Sequence, residues 1–206
     1  MLSGISCYCR KATAAVRHFG AISYLIESKL KYDLTIITNV KSFKLFDDTI
    51  YMTSLDDIID FCEKEFNSLD KNKDFNYIIF YDEIFTLLSK QDKLPKKYLS
   101  FISQLRKRGI ILVTTAQEWL EINVTLRRYV KFQVDCKMFP LPFTKNAVCV
   151  RYVRDGDTMK WDNEQNEYVA DIINTKIEKA RLSVANSYDT YETIETTKQH
   201  NAFKRR

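Results

Sequence analysis

Two adjacent carboxylates, Asp82 and Glu83, close the apolar run Asn76-Tyr77-Ile78-Ile79-Phe80-Tyr81 and are the residues of this chain best placed to do chemistry. Such a run reads as a strand buried on both faces that delivers its two acids to the carboxyl edge of a sheet. That is the edge where open α/β sheets bind ligands. In P-loop ATPases the first acid of such a pair holds Mg²⁺, usually through water, and the second polarises the attacking water, so the order Asp then Glu matters. Asp82 and Glu83 fit those two roles. They also fit a plainer one, because acids favour helix N-termini and the pair could simply cap the next helix.

A phosphate site needs glycines whose backbone N–H groups approach the phosphates, then a Lys for the β/γ-phosphates and a Ser or Thr for Mg²⁺. The corresponding stretch here is Gly4-Ile5-Ser6-Cys7-Tyr8-Cys9-Arg10-Lys11-Ala12-Thr13. Lys11 and Thr13 are candidate phosphate and metal contacts. Arg10, however, stands where the glycine before the lysine belongs, and Ala12 follows the lysine directly, so the GxxxxGK[ST] signature is absent. Only Met1 to Ser3 precede Gly4, so the buried strand that leads into such a loop is expected to be missing or altered. A frayed N-terminus opening into a helix accounts for the same residues.

Two further groups complete the candidate set. Ile110-Ile111-Leu112-Val113-Thr114-Thr115-Ala116-Gln117 is a second buried strand ending in a polar run, and the amide of Gln117 could hold the attacking water or sense a γ-phosphate. Arg106 and Arg108 end a helix at Gly109. They either complement its dipole or reach the γ-phosphate of a neighbouring subunit as an arginine finger.

The elements that must position these groups follow from periodicity. Ala15, Val16, Phe19, Ile22, Leu25, Ile26 and Leu30 repeat at three and four, which predicts a helix over 12–31. Residues 33–40 predict a strand ending at Asn39, and 49–53 a short one. Ser54 is the expected N-cap of a helix to about Leu69. Ile84 to Lys90 reads as a short helix, 98–108 as a helix capped by Gly109, 118–128 as another and 129–138 as a strand. Residues 147–153 are expected to pair with 158–161 through a turn at Asp155-Gly156, and the chain beyond Tyr168 reads as polar.

Composition bounds the class. With 206 residues, 45% of them hydrophobic, the chain can bury one sizeable core. No apolar run approaches the roughly 18 residues of a membrane span and no signal pattern opens the sequence, so a cytoplasmic protein is expected. The five cysteines are odd in number and without a CxxC pair, which favours reduced thiols over disulfides or zinc. The net charge of +5 permits contact with nucleic acid or anionic lipid without requiring it.

The combination of Tyr81-Asp82-Glu83, Arg106-Lys107-Arg108-Gly109 and Thr115-Ala116-Gln117, in this order of helices and strands, resembles the zonula occludens toxin (Zot) N-terminal domain family. These are the assembly ATPases of filamentous phages, within the FtsK/HerA group of P-loop DNA pumps. The resemblance spans roughly Ala14 to Met138, with Asn186 to Glu192 similar to the tail segment of such domains. It implies an α/β, three-layer P-loop NTPase-like domain with a mostly parallel sheet, here with its first strand and P-loop incomplete and a small C-terminal hairpin. The implied division is 1–140 for the NTPase-like domain, 141–185 for an edge hairpin and extension of it, and 186–206 for a polar basic tail.

By the same resemblance Mg-ATP would sit at the sheet edge, with Mg²⁺ on Asp82, water activation by Glu83, γ-phosphate sensing by Gln117, a finger at Arg106 or Arg108, and phosphate binding at Lys11. Partners would be further copies in a ring, single-stranded phage DNA and other assembly proteins. The site of action would be the host cytoplasm, including the inner face of the membrane. The implied function is coupling of ATP hydrolysis to assembly, packaging or extrusion of phage DNA. The alternatives are a non-hydrolysing DNA-binding or ring-forming factor with a degenerate P-loop, and a plain interaction module. A missing first strand would expose apolar strand edges, so a poorly soluble or oligomeric protein is expected.

Overall fold

The computed structural model describes residues 4–8, 14–43, 45–68, 76–84, 93–143, 147–164 and 167–180, with the backbone alone at 4–8, 14–15 and 68. An eight-stranded sheet runs through it in the order β10-β7-β6-β1-β5-β4-β2-β3. The strands are β1 (Gly4–Tyr8), β2 (Thr35–Thr38), β3 (Ile50–Tyr51), β4 (Tyr77–Tyr81), β5 (Ile111–Thr115), β6 (Val130–Pro140), β7 (Ala147–Asp155) and β10 (Ile172–Lys179). From β6 to β3 all neighbours pair in parallel, and β7 and β10 add antiparallel strands at one edge.

Helices cover both faces because the central strands are apolar on both, as parallel strands must be when buried twice. Successive side chains alternate across the sheet. Ile36, Ile78, Phe80, Ile111 and Val113 pack with Phe19, Ile22 and Leu25 of α1 (Ala14–Tyr32). Ile37, Ile79, Tyr81 and Leu112 pack with Ile58, Ile59 and Cys62 of α2 (Leu55–Ser68) and Phe101 and Ile102 of α3 (Lys96–Gln104). The three-layer α/β reading is therefore correct. Ser54 opens α2 as expected, its Oγ accepting from the N–H of Asp56 at 3.1 Å. Beyond α3 the chain turns at Gly109, whose φ of 68° is the left-handed conformation that glycine adopts without a Cβ penalty. There the N–H groups of Ile110 and Gly109 close on the carbonyls of Leu105 and Arg106.

The first strand is not missing. Gly4–Tyr8 forms β1 at the centre of the sheet, hydrogen-bonded to β5 on one side and β6 on the other. Its mixed sequence carries none of the apolar continuity of β4 or β5, and only the two flanking strands identify it as a strand. Residues 4–8 of the stretch that the sequence suggested as a phosphate loop therefore belong to a strand, and 9–13 lie outside the described residues. The expectation of poor solubility loses its premise, because the strand whose absence would expose apolar edges is in place.

The C-terminal hairpin also differs from expectation. The partners of β7 are β6 and β10, while Lys160–Asp162 (β8) pairs with Glu167–Val169 (β9) in a separate two-stranded sheet. Gly156 turns within a single 3-10 turn, where an added Cβ would come within 2.1 Å of the Val130 carbonyl oxygen, so it closes the chain against β6 and does not make a two-residue hairpin. The segment beyond Tyr168 that reads as polar contains β10, which alternation alone does not distinguish from loop. The helix expected over 118–128 is a 3-10 turn, Trp119–Glu121, followed by the single turn α4 (Val124–Arg127). The expected helix over 84–90 lies outside the described residues except for Ile84. Cys62, Cys136 and Cys149 are buried free thiols.

An ion network fastens the antiparallel edge to α1. Arg151 of β7 reaches Glu27 of α1 at 2.9 Å and Glu178 of β10 at 3.0 Å, and Lys176 also pairs with Glu27. Burial pushes the Glu27 carboxyl up, but Lys176 and Arg151 outweigh it and hold it below the usual range. A carboxylate depressed in this way contributes stability that is complete above its unfolded pKa and is lost as pH falls through the folded value. Acidification from about pH 6 to pH 3 is expected to lower the melting temperature more in the native chain than in Glu27→Gln. Identical profiles would show that the network contributes nothing.

Candidate functional site

The carboxyl ends of β4, β2 and β5 converge on Asp82. Its carboxylate is almost fully buried, with 1% side-chain exposure, and lies against His18 in the second turn of α1. His18 Nε2 sits 2.8 Å from Asp82 Oδ1, and the hydroxyl of Thr115 at the end of β5 donates to the same oxygen. An ionised carboxylate only accepts, so Nε2 carries the hydrogen in this contact. Asn39 holds the backbone from the β2 side: its Oδ1 accepts from the Asp82 N–H at 2.8 Å and its Nδ2 donates to the Asp82 carbonyl at 3.2 Å. Asn39, the expected end of its strand, thus straps the acid in place.

Glu83 follows in a left-handed conformation, φ 51°, which costs a non-glycine residue roughly 1–2 kcal/mol. The strain is held by Thr115, whose Oγ1 accepts from the Glu83 N–H at 3.0 Å. One hydroxyl thus orients both acids. Burial, then the charge of Asp82, push the Glu83 carboxyl above the usual carboxylate range against the opposing pull of His18 and Arg17. A half-buried acid with a raised pKa beside a buried one is an environment in which a carboxylate can serve as a base.

A hydrated Mg²⁺ binds through one or two carboxylates together with phosphate oxygens and waters. The oxygen donors here fit that habit. Asp82, Glu83 and Thr115 supply hard oxygens at one sheet edge, and among the described residues no three His, Cys, Asp or Glu side chains form a self-sufficient metal cage. Lys11 and Thr13 lie outside the described residues, between β1 and α1 in the sequence. Gln117 is exposed two residues beyond Thr115, on the same edge as the acids.

The two arginines stand elsewhere. They precede β5, at the amino edge of the sheet, a strand of five residues or roughly 16 Å from the acids in the same chain. Arg108 is buried and grips Glu63 of α2 with both nitrogens at 2.8 and 3.0 Å, takes Gln104 at 2.6 Å and covers the Phe66 ring. That geometry braces the end of α3 against α2 and engages Arg108 within its own chain. Arg106 is exposed.

His18 and Thr115 were missed from sequence. A histidine within a helix gives no periodic signal. One cue was available: His18 is one of two histidines in the chain and lies one turn into the helix that a phosphate loop would open.

No family model matches the sequence, and no curated protein does. Solved structures do resemble the fold. The genome-packaging NTPase B204 from Sulfolobus turreted icosahedral virus 2, in complex with AMPPCP, matches at TM-score 0.51 and 12% identity over 87% of this chain and 98% of that one. The N-terminal domain of zonular occludens toxin from Neisseria meningitidis matches at TM-score 0.49 and 12% identity over 91% of this chain and all of that one. What the packaging NTPase shares with this chain is the fold, a three-layer α/β domain. Among the described residues no helix is long and apolar enough to cross a membrane.

Proposed function

We propose that this chain is an ATP-binding subunit of a phage-type machine that couples ATP hydrolysis to assembly, packaging or extrusion of DNA. The observation that carries this reading is the buried Asp82 with the strained, half-buried Glu83 beside it, both oriented by Thr115 at the edge where β1 leads into α1. Glu83 takes a proton from the attacking water, and its raised pKa matches that task. Asp82, held by His18 and Thr115, would hold Mg²⁺ through water. A bound Mg²⁺ supplies neutralisation of charge on the transferring phosphoryl group. Lys11 and Thr13 contact phosphate, and Gln117 senses it from the end of β5.

The partners in this reading are other copies of the chain, with Arg106 reaching the neighbour's nucleotide, and single-stranded phage DNA held through its phosphates. The place of action is the host cytoplasm. Similarity of the fold to a packaging NTPase supports the reading at the level of architecture.

The second reading, a DNA-binding or ring-forming factor that does not hydrolyse, is favoured by one feature of the sequence: Arg10 and Ala12 in place of the glycine and the Ser or Thr around Lys11. Mg-ATP binding and turnover by the full chain, with and without single-stranded DNA, separates the two. In the motor reading Lys11→Ala weakens nucleotide binding by about tenfold or more, the loss of one charge-assisted phosphate contact. DNA binding that persists with no nucleotide bound would establish the non-hydrolysing factor instead.

A further inference from the structure

His18 holds the one oxygen of Asp82 that Thr115 also holds, and it does so from α1, the helix that follows the phosphate loop. In the GxxxxGK[ST] signature a hydroxyl directly after the lysine serves the metal from that helix. Here the position is Ala12, which has no polar atom, and Thr13 falls one residue later. Among the described residues His18 joins α1 to the first acid, with 5% side-chain exposure against 1% for its partner.

We propose that His18 is a positioning residue that replaces the signature hydroxyl, fixing Asp82 for a metal-bound water before nucleotide arrives. An imidazole nitrogen is a poor ligand for Mg²⁺, which selects oxygen, so His18 acts on the carboxylate and not on the metal. Two donors on Oδ1, one from α1 and one from β5, stop the carboxylate from turning about its Cβ–Cγ bond. The residue therefore couples α1 to β4, which carries the acids, and through the shared oxygen to Thr115 of β5. Partners that orient a metal's ligands in this manner matter nearly as much as the ligands. The inference rests on the nucleotide-binding reading above and specifies the task of His18 within it.

The test uses the full chain with His18→Ala and His18→Gln, reading the affinity of a fluorescent ATP analogue in Mg²⁺ and in EDTA. His18→Ala is expected to lose about 10- to 100-fold in Mg²⁺ and less than about threefold in EDTA. His18→Gln, whose amide can donate to the same oxygen, is expected to recover most of the Mg²⁺ affinity. Equal loss in both buffers would mean a packing defect and would overturn the proposal, as would no loss at all. No binding by the native chain in either buffer would instead overturn the proposed function, so the two failures are distinct. A nucleotide-free readout accompanies them: the Nε2 resonance that His18→Gln removes is expected to move in Asp82→Asn, and a resonance that stays put overturns the clasp whatever the nucleotide does.

Discussion

Glu83→Gln is expected to reduce ATP turnover by about 10²- to 10⁴-fold, the usual contribution of a general base, while nucleotide binding persists. The amide preserves the size of the side chain and cannot take the proton. The left-handed backbone is unaffected, because the Thr115 hydroxyl that holds it receives the main-chain N–H. Single-turnover hydrolysis beside equilibrium binding checks this, and a variant that turns over normally would remove Glu83 from the chemistry. The pH profile of the native chain carries the same information. Burial and the neighbouring Asp82 raise the Glu83 pKa, so the acid limb of kcat is expected above the value of an ordinary glutamate. By the same sign, ionising Glu83 costs stability, and that cost appears as pH rises through its raised pKa.

The second large effect separates the two arginines. Arg108→Ala is expected to destabilise the fold by about 2–4 kcal/mol, toward the lower end for breaking a buried pair because Glu63 is partly open to water. For a chain of this size that lowers the melting temperature by roughly 4–16 °C. Arg106→Ala is expected to stay within about 0.5 kcal/mol of the native stability, as exposed substitutions do. If Arg106 is the finger, its loss shows only in the assembled protein, as turnover lost with stability retained. Mixing Arg106→Ala with Glu83→Gln subunits tests this directly. Each variant is inactive alone, and restored turnover requires that one chain supply the arginine and its neighbour the base. A severe loss of stability in Arg106→Ala, or none in Arg108→Ala, would reverse the assignment.

The sequence by itself determined the layered α/β class, because long apolar strands and helical periodicity depend on local composition that burial rewards wherever it occurs. It determined the place of Asp82 and Glu83 at the end of β4 as well, since an apolar strand that stops on two acids delivers them to one edge of the sheet. It determined α1, α2 with its Ser54 cap, and the turn at Gly109, whose signals lie within a few residues of one another. Tertiary structure alone decided the rest. Gly4–Tyr8 is a strand because β5 and β6 flank it, not because its residues favour one. β10 is recognisable by its pairing with β7, and the partner of a strand is a long-range choice that period-two alternation does not make. Arg106 and Arg108 share charge and neighbourhood in the chain, yet only packing against Glu63 and Phe66 buries one and leaves the other in solvent. His18 reaches Asp82 across 64 residues, and Thr115 reaches both acids across a strand crossing. Contacts of that kind are set by the stacking of α1 on the sheet and by the register of β4 against β5, which no local pattern encodes.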